Sequence, residues 1–238
     1  MADEQTDRQR APGPRVSGAR PTGPLAEPGP GLLVMDVDST LIGQETIDLL
    51  AEHAGTGEQV AEITARAMRG ELDFASSLRE RVATLAGAPQ EILSEVHDEL
   101  RLTPGARDLV DSMHARGCRV GVVSGGFEEL VTSMARYLEI DHVAANRLEV
   151  SDGVLTGRLL GRIVDREEKA RRLRAWAETD GVPMERTVAV GDGANDLDMI
   201  AAAGLGVAFC AKPVVVEQAD AAVHVRDLRA VLDLLLKR

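Results

Sequence analysis

Along most of this chain, short apolar runs alternate with longer stretches in which apolar residues recur every three or four positions. The runs are LLVMDV (32–37), CRVGVVS (118–124), TVAVGD (187–192), LGVAF (205–209) and AAVHV (221–225), and helical periods separate them. A short apolar run bounded by Gly, Ser or Asp reads as a buried strand. Strands alternating with helices predict an α/β fold: a Rossmann-like parallel sheet with helices on both faces.

The rhythm breaks twice. From about 46 to 103 there is no strand candidate but four amphipathic segments: ETIDLLAEHA, GEQVAEITARAM, FASSLRERVATLAG and PQEILSEVHDEL. Inserted after the first strand, they predict an all-helical cap over the carboxyl edge of the sheet, where open α/β folds bind ligands. The second break, 143–161, carries the turn signal Ser-Asp-Gly and predicts a β-hairpin. The expected organisation is a core from 31–45 and 104–238 with a cap at 46–103. Residues 1–30 hold six of the ten prolines and almost no large apolar side chains, so a disordered Pro/Gly-rich tail is expected there.

Composition adds limits. A chain of 238 residues with 44% apolar content can bury one large core or two small ones. Its net charge of -12 argues against nucleic-acid or anionic-membrane partners, both of which call for a basic surface, and points to a small-molecule partner. The two cysteines, Cys118 and Cys210, lack metal-ligand spacing and read as reduced thiols. The first thirty residues contain no signal-peptide core. The longest uncharged apolar stretch, 199–211, is too short for a bilayer, so a soluble cytoplasmic protein is expected.

The polar residues at the strand ends carry the chemistry. Asp36 and Asp38 close the first run, and a carboxylate buried there is costly unless something cationic compensates it. Ser124, Gly125 and Gly126 close the second, Lys169 opens the helix after the hairpin, and Asp192, Asn195 and Asp196 follow a later strand. Parallel topology brings such ends to one crevice. Several oxygen ligands suit a hard cation such as Mg²⁺ acting with a substrate phosphate. The five histidines are scattered, which disfavours zinc. Ser124, the Gly125 and Gly126 amides and Lys169 offer donors and positive charge to phosphate oxygens, and the helix after Gly126 adds its N-terminus.

These residues resemble the haloacid dehalogenase superfamily: Asp36-Val37-Asp38-Ser39-Thr40, then Ser124, Lys169, and Gly191-Asp192-Gly193-Ala194-Asn195-Asp196. Within it, DVDSTLIGQETID, MRGELDFASSLRERV, VVSGGF and AFCAKP are similar to the phosphoserine phosphatase family. The resemblance covers about 31–238. It implies Mg²⁺-dependent hydrolysis of O-phosphoserine, the last step of serine biosynthesis, through an aspartyl-phosphate. It further implies Asp36 as nucleophile, Asp38 as general acid and base, and Lys169 as charge partner of the phosphoryl group. The metal would be held by Asp36, the Asp38 carbonyl and Asp192. Asp196 would be a supporting residue and Asn195 a phosphate neighbour. From the cap it implies Glu45 for the substrate ammonium, Arg81 for its carboxylate, and Met68 and Phe74 as an apolar lid, while spacing alone leaves cap core equally open for both.

Three other readings stay open: a phosphotransferase passing the group to an alcohol such as homoserine, a broader phosphomonoesterase, and a non-catalytic phosphoserine-binding module. Monomer and homodimer are both compatible with the sequence. Relatives often carry an amino-acid-sensing domain where this chain has its Pro/Gly-rich segment, so serine feedback through such a domain is not expected.

Overall fold

Successive side chains of a strand point to opposite faces of the sheet, so a run of large apolar residues builds two cores at once. In β2 (Leu32–Met35), Leu33 and Met35 join one cluster of buried residues while Leu32 and Val34 join another. β3 (Arg119–Phe127), β6 (Thr187–Gly191) and β7 (Leu205–Phe209) repeat the division. Val122, Val190 and Val207 enter the first cluster; Val123, Ala189 and Ala208 enter the second. The computed structural model describes residues 15–236, with these strands at the centre of an eight-stranded sheet.

The sheet is completed by β1 (Val16–Gly18), β4 (His142–Ser151), β5 (Val154–Leu160) and β8 (Ala221–Val223), in the order β1-β8-β7-β6-β2-β3-β4-β5. All neighbours from β8 to β4 run parallel, and only the outermost strands, β1 and β5, pair antiparallel.

Four helices fill the stretch between β2 and β3: α1 (Thr46–His53), α2 (Gly57–Met68), α3 (Phe74–Ala83) and α4 (Ile92–Glu99). Six more follow: α5 (Ala106–His114), α6 (Glu128–Tyr137), α7 (Arg166–Thr179), α8 (Leu197–Ala202), α9 (Pro213–Val216) and α10 (Arg229–Leu236). Leu109, Leu130 and Leu234 pack α5, α6 and α10 into the first cluster; Leu173, Trp176 and Ile200 pack α7 and α8 into the second. The fold is α/β, with helices on both faces. Among the described residues no helix is long and apolar enough to cross a membrane.

The five expected strands are all present, and β3 runs on through Gly125 and Gly126 to Phe127. The expected hairpin is β4–β5. Asp152 and Gly153 both take left-handed backbone angles (φ 53° and 78°), as a two-residue turn between twisted strands requires. Its tip also touches the helical insert: the Gly87 and Gln90 amides donate to the Leu155 and Gly153 carbonyls at 2.8 and 2.9 Å, and the Leu155 amide donates to the Ala88 carbonyl at 2.9 Å. The α3–α4 connection is thereby tied to the far edge of the sheet.

The tail expectation needs correction. Residues 1–14 lie outside the described residues, but 15–30 are ordered. β1 adds to the edge of β8 with Val16 opposite Val223 and Gly18 opposite Ala221. Arg15 pairs with Asp227 at 3.2 Å, and Leu25 is buried in the first cluster. An edge strand binds through its main chain, which composition does not reveal, and β8 would otherwise leave its outer edge unpaired. Removing residues 1–30 is therefore expected to lower the melting temperature. Losing the burial of the Leu25 side chain alone costs about 2 kcal/mol, which is roughly 4–8 °C in a chain of this size. Calorimetry on the full and shortened chains checks this, and equal melting temperatures would contradict the docking.

Candidate active site

The register of the central strands determines what meets at their carboxyl ends. Met35 lies opposite Val190 of β6 and Val122 of β3. Asp36 extends the first pairing, its amide donating to the Val190 carbonyl at 2.9 Å. Asp192 follows β6 directly, and Ser124-Gly125-Gly126 occupy the end of β3. Three segments far apart in sequence thus deliver their polar groups to one edge.

Beneath them lies Lys169, on the first turn of α7 and fully buried. Its Nζ donates to Asp36 Oδ1 at 2.8 Å and to Asp196 Oδ1 at 2.7 Å. Burial alone would lower the lysine pKa, but Asp196 and Asp36 outweigh it and raise the value, so the ammonium stays charged. Asp36 Oδ1 also accepts from the Val37 amide at 2.7 Å, and Oδ2 makes no hydrogen bond among the described residues. Burial first, then the Asp196 charge, push Asp36 well above the usual carboxylate range, against the pull of Lys169. Asp196 Oδ2 accepts from the Asp192 and Gly193 amides at 3.2 and 3.0 Å, which fixes the loop carrying Asp192.

The chain leaves β2 through a turn in which Ser39 takes a left-handed conformation (φ 56°), a strained choice for a residue with a side chain. Its hydroxyl donates to Glu45 Oε1 at 2.6 Å, and its carbonyl accepts from Arg226 at 3.0 Å. The Asp38 carboxylate accepts from the Thr46 hydroxyl and amide at 3.1 and 3.3 Å, at the start of α1. Burial, and then the Glu45 charge, raise the Asp38 pKa to about 7. The backbone of β3 comes very close here: a Cβ on Gly126 would stand 2.5 Å from Thr46 Oγ1 and 2.7 Å from Asp38 Oδ2. Only glycine fits.

These groups face a cavity of about 630 Å³, walled on one side by Asp36, Asp38, Asp192, Gly125, Gly126 and Asn195. The rest of the lining comes from Glu45, at the entry to the helical insert, and from Met68, Phe74 and Arg81 of the insert itself. The Phe74 ring lies against the end of β3, where a Cβ on Gly125 would be 2.8 Å from its Cζ. Met68, at the end of α2, is 73% exposed, which no core residue of the insert would be. Arg81 is half-buried; burial lowers its pKa, while Asp48, Glu45 and Asp38 act in the opposite sense.

Of the thirteen residues singled out from sequence, ten line the cavity. Lys169, Asp196 and Ser124 lie beneath it, fully buried. Ser124 Oγ accepts from the Gly126 amide at 2.8 Å, which shapes the turn and leaves the hydroxyl proton outside that bond. Sequence reading passed over Thr46, although it stands beside Glu45 at a helix start. It also passed over Thr64, Ser77, Arg166 and Lys212, all on the cavity wall. Lys212 sits in the AFCAKP stretch and carried a signal; hydroxyls within helices carry none.

Carboxylate oxygens of Asp36, Asp192 and Asp196 come within 4.8 Å of one another. Asp196 is the most committed of the three, its Oδ1 accepting from Lys169 and its Oδ2 from two amides, while Asp36 Oδ2 makes no hydrogen bond among the described residues. Burial, then Asp196 and Glu45, raise Asp192 to about 6. A cluster with more negative than positive charge and only oxygen donors fits a hard divalent cation.

The profile of the haloacid dehalogenase-like hydrolase family matches residues 33–201. A phosphoserine phosphatase of Streptococcus thermophilus is 54% identical over 205 residues, covering 86% of this chain and 95% of the relative. A phospho-aspartyl intermediate analogue of phosphoserine phosphatase superposes with a TM-score of 0.81 at 44% identity, covering 86% of this chain and 98% of the other. A substrate-bound phosphoserine phosphatase complex gives a TM-score of 0.81 at 43% identity, covering 86% and 97%.

Replacing Lys169 by Met removes the one cation between Asp36 and Asp196 and leaves buried carboxylates uncompensated. The expected destabilisation is about 3 kcal/mol, measured by urea denaturation in the presence of a chelator. An unchanged midpoint would show that the buried ammonium does not support the site.

Proposed function

This chain belongs to the haloacid dehalogenase-like hydrolase family, and from that premise we propose that it hydrolyses O-phospho-L-serine to L-serine and inorganic phosphate through an aspartyl-phosphate. The observation that carries the reading is the meeting of a buried Asp36–Lys169–Asp196 unit with a cavity whose lining also holds Glu45 and Arg81. The relatives named above support the same chemistry.

Asp36 is the nucleophile. With Oδ1 held by Lys169 and the Val37 amide, Oδ2 attacks phosphorus. The Oδ2–P bond forms, the bond from phosphorus to the serine oxygen breaks, and Asp38 gives that oxygen its proton. Water then attacks phosphorus and loses a proton to Asp38, and the Asp36 carboxylate leaves, releasing phosphate. Lys169 lessens the repulsion between the carboxylate and the incoming dianion. Mg²⁺, held by Asp36, the Asp38 carbonyl and Asp192, would supply further positive charge toward the phosphoryl oxygens. Asn195 and the Gly125 backbone receive phosphate oxygens from the side.

Selection belongs to the helical insert, residues 46–103, which acts as a cap on the core of 31–45 and 104–238. Glu45, at the connection into it, takes the substrate ammonium, and the Arg81 guanidinium takes the carboxylate in a bidentate grip. Phe74 and Met68 exclude water from the phosphoenzyme. The product places the enzyme at the last step of serine formation, a cytoplasmic process.

Asp36→Asn is expected to abolish phosphate release from O-phosphoserine while circular dichroism stays native; appreciable turnover would contradict the nucleophile. Arg81→Ala is expected to lower kcat/KM for O-phosphoserine by at least a hundredfold, about the worth of a hydrogen-bonded charge pair, and that for p-nitrophenyl phosphate far less. Equal losses would remove the carboxylate clamp.

A further inference from the structure

Two side-chain hydroxyls on the cavity wall are out of keeping with the rest of the molecule. Thr64 Oγ1 and Ser77 Oγ are buried and have no hydrogen-bond partner among the described residues. Both residues line the cavity that holds Asp36 and Arg81. Ser77 is only 2% exposed. A buried hydroxyl without a partner is destabilising, and a serine or threonine inside a helix usually relieves this by bonding the carbonyl one turn back. Thr132 and Thr179 do so, donating to the carbonyls of Glu128 and Ala175 at 2.8 Å. Thr64 in α2 and Ser77 in α3 forgo that bond.

Their position suggests what they wait for. Ser77 stands one turn before Arg81 on α3, so the two share a face of the helix. The Arg81 Nε donates to the Ser77 carbonyl at 3.4 Å, holding the guanidinium over the same turn. α2 and α3 both contribute to this wall, which brings Thr64 to the cavity beside them. A rotation about χ1 to another staggered position re-aims either hydroxyl without moving the backbone, and threonine in a helix readily occupies two such positions.

We propose that the Ser77 and Thr64 hydroxyls are specificity-determining donors that complete, with Arg81, the grip on the α-carboxylate of the amino-acid substrate. This rests on the reading of the cavity as a phosphoserine site. The free enzyme carries the unpaired hydroxyls as a cost, and the carboxylate relieves it. The hydroxyls act on the end of the substrate remote from phosphorus, so they govern binding more than the chemical step.

The test uses Ser77→Ala and Thr64→Val in the full chain, with melting temperature and steady-state kinetics read together. Each substitution is expected to raise KM for O-phosphoserine about tenfold, as loss of a hydrogen bond to a charged group does, with kcat changed less than threefold. The loss in kcat/KM for p-nitrophenyl phosphate, which has no carboxylate, should be at least fivefold smaller. The melting temperature of the free enzyme should hold or rise, because an unsatisfied group has been removed. A KM for O-phosphoserine within twofold of wild type in both variants would overturn the proposal. So would equal losses on both substrates with a lowered melting temperature, which mark a structural role. Failure of the unaltered enzyme to release phosphate from O-phosphoserine would instead overturn the reading of the site on which the proposal stands.

Discussion

One buried ammonium organises this molecule's polar centre. Lys169 lies between Asp36 and Asp196 at 2.8 and 2.7 Å, with all three almost wholly out of water. Burying any of them singly would be prohibitive, and together they satisfy one another. The pairing reaches further through Asp196, whose second oxygen gathers the Asp192 and Gly193 amides. One helix, one strand end and one loop are therefore held in register by a single charge. The same arrangement fixes one oxygen of Asp36 and leaves the other without a hydrogen bond among the described residues, the condition a nucleophilic carboxylate needs.

The second organising feature is the division of labour across the cavity. In the function proposed above, the sheet edge acts on phosphorus and the helical insert, with its entry at Glu45, receives the amino-acid end; both line one cavity. The two walls meet where the Phe74 ring packs on Gly125. The insert is also bound to the β4–β5 hairpin through the 87–90 segment, a second attachment besides its own chain connections. Unpaired hydroxyls on such a wall are an instance of stability given up in favour of recognition, because a site that satisfied all its own donors would have none left to offer.

Much of this was legible in the sequence, and the exceptions have physical reasons. Runs such as LLVM and TVAV announce strands because burial on both faces demands an unbroken apolar series. Asp36 and Asp192 could be placed at one crevice because parallel strands end on one side. The Ser-Asp-Gly turn gave the hairpin. β1 escaped notice because three residues at a sheet edge are held by the main chain of β8, a partner some two hundred residues away. Ser124 was placed rightly at its strand end, but its bond to the Gly126 amide depends on local geometry that no spacing rule reveals. Thr64 and Ser77 look like any helix hydroxyls until the absence of their usual carbonyl partners is seen in three dimensions.

The central claim is that phosphorus passes through the Asp36 carboxylate, and trapping that species tests it directly. The enzyme would be quenched during turnover of O-phosphoserine, reduced with borohydride and mapped by peptide mass spectrometry. An acyl phosphate at position 36 is converted to homoserine there, and that is the predicted product. Reduction at another carboxylate, or at none under conditions of full activity, would contradict the account.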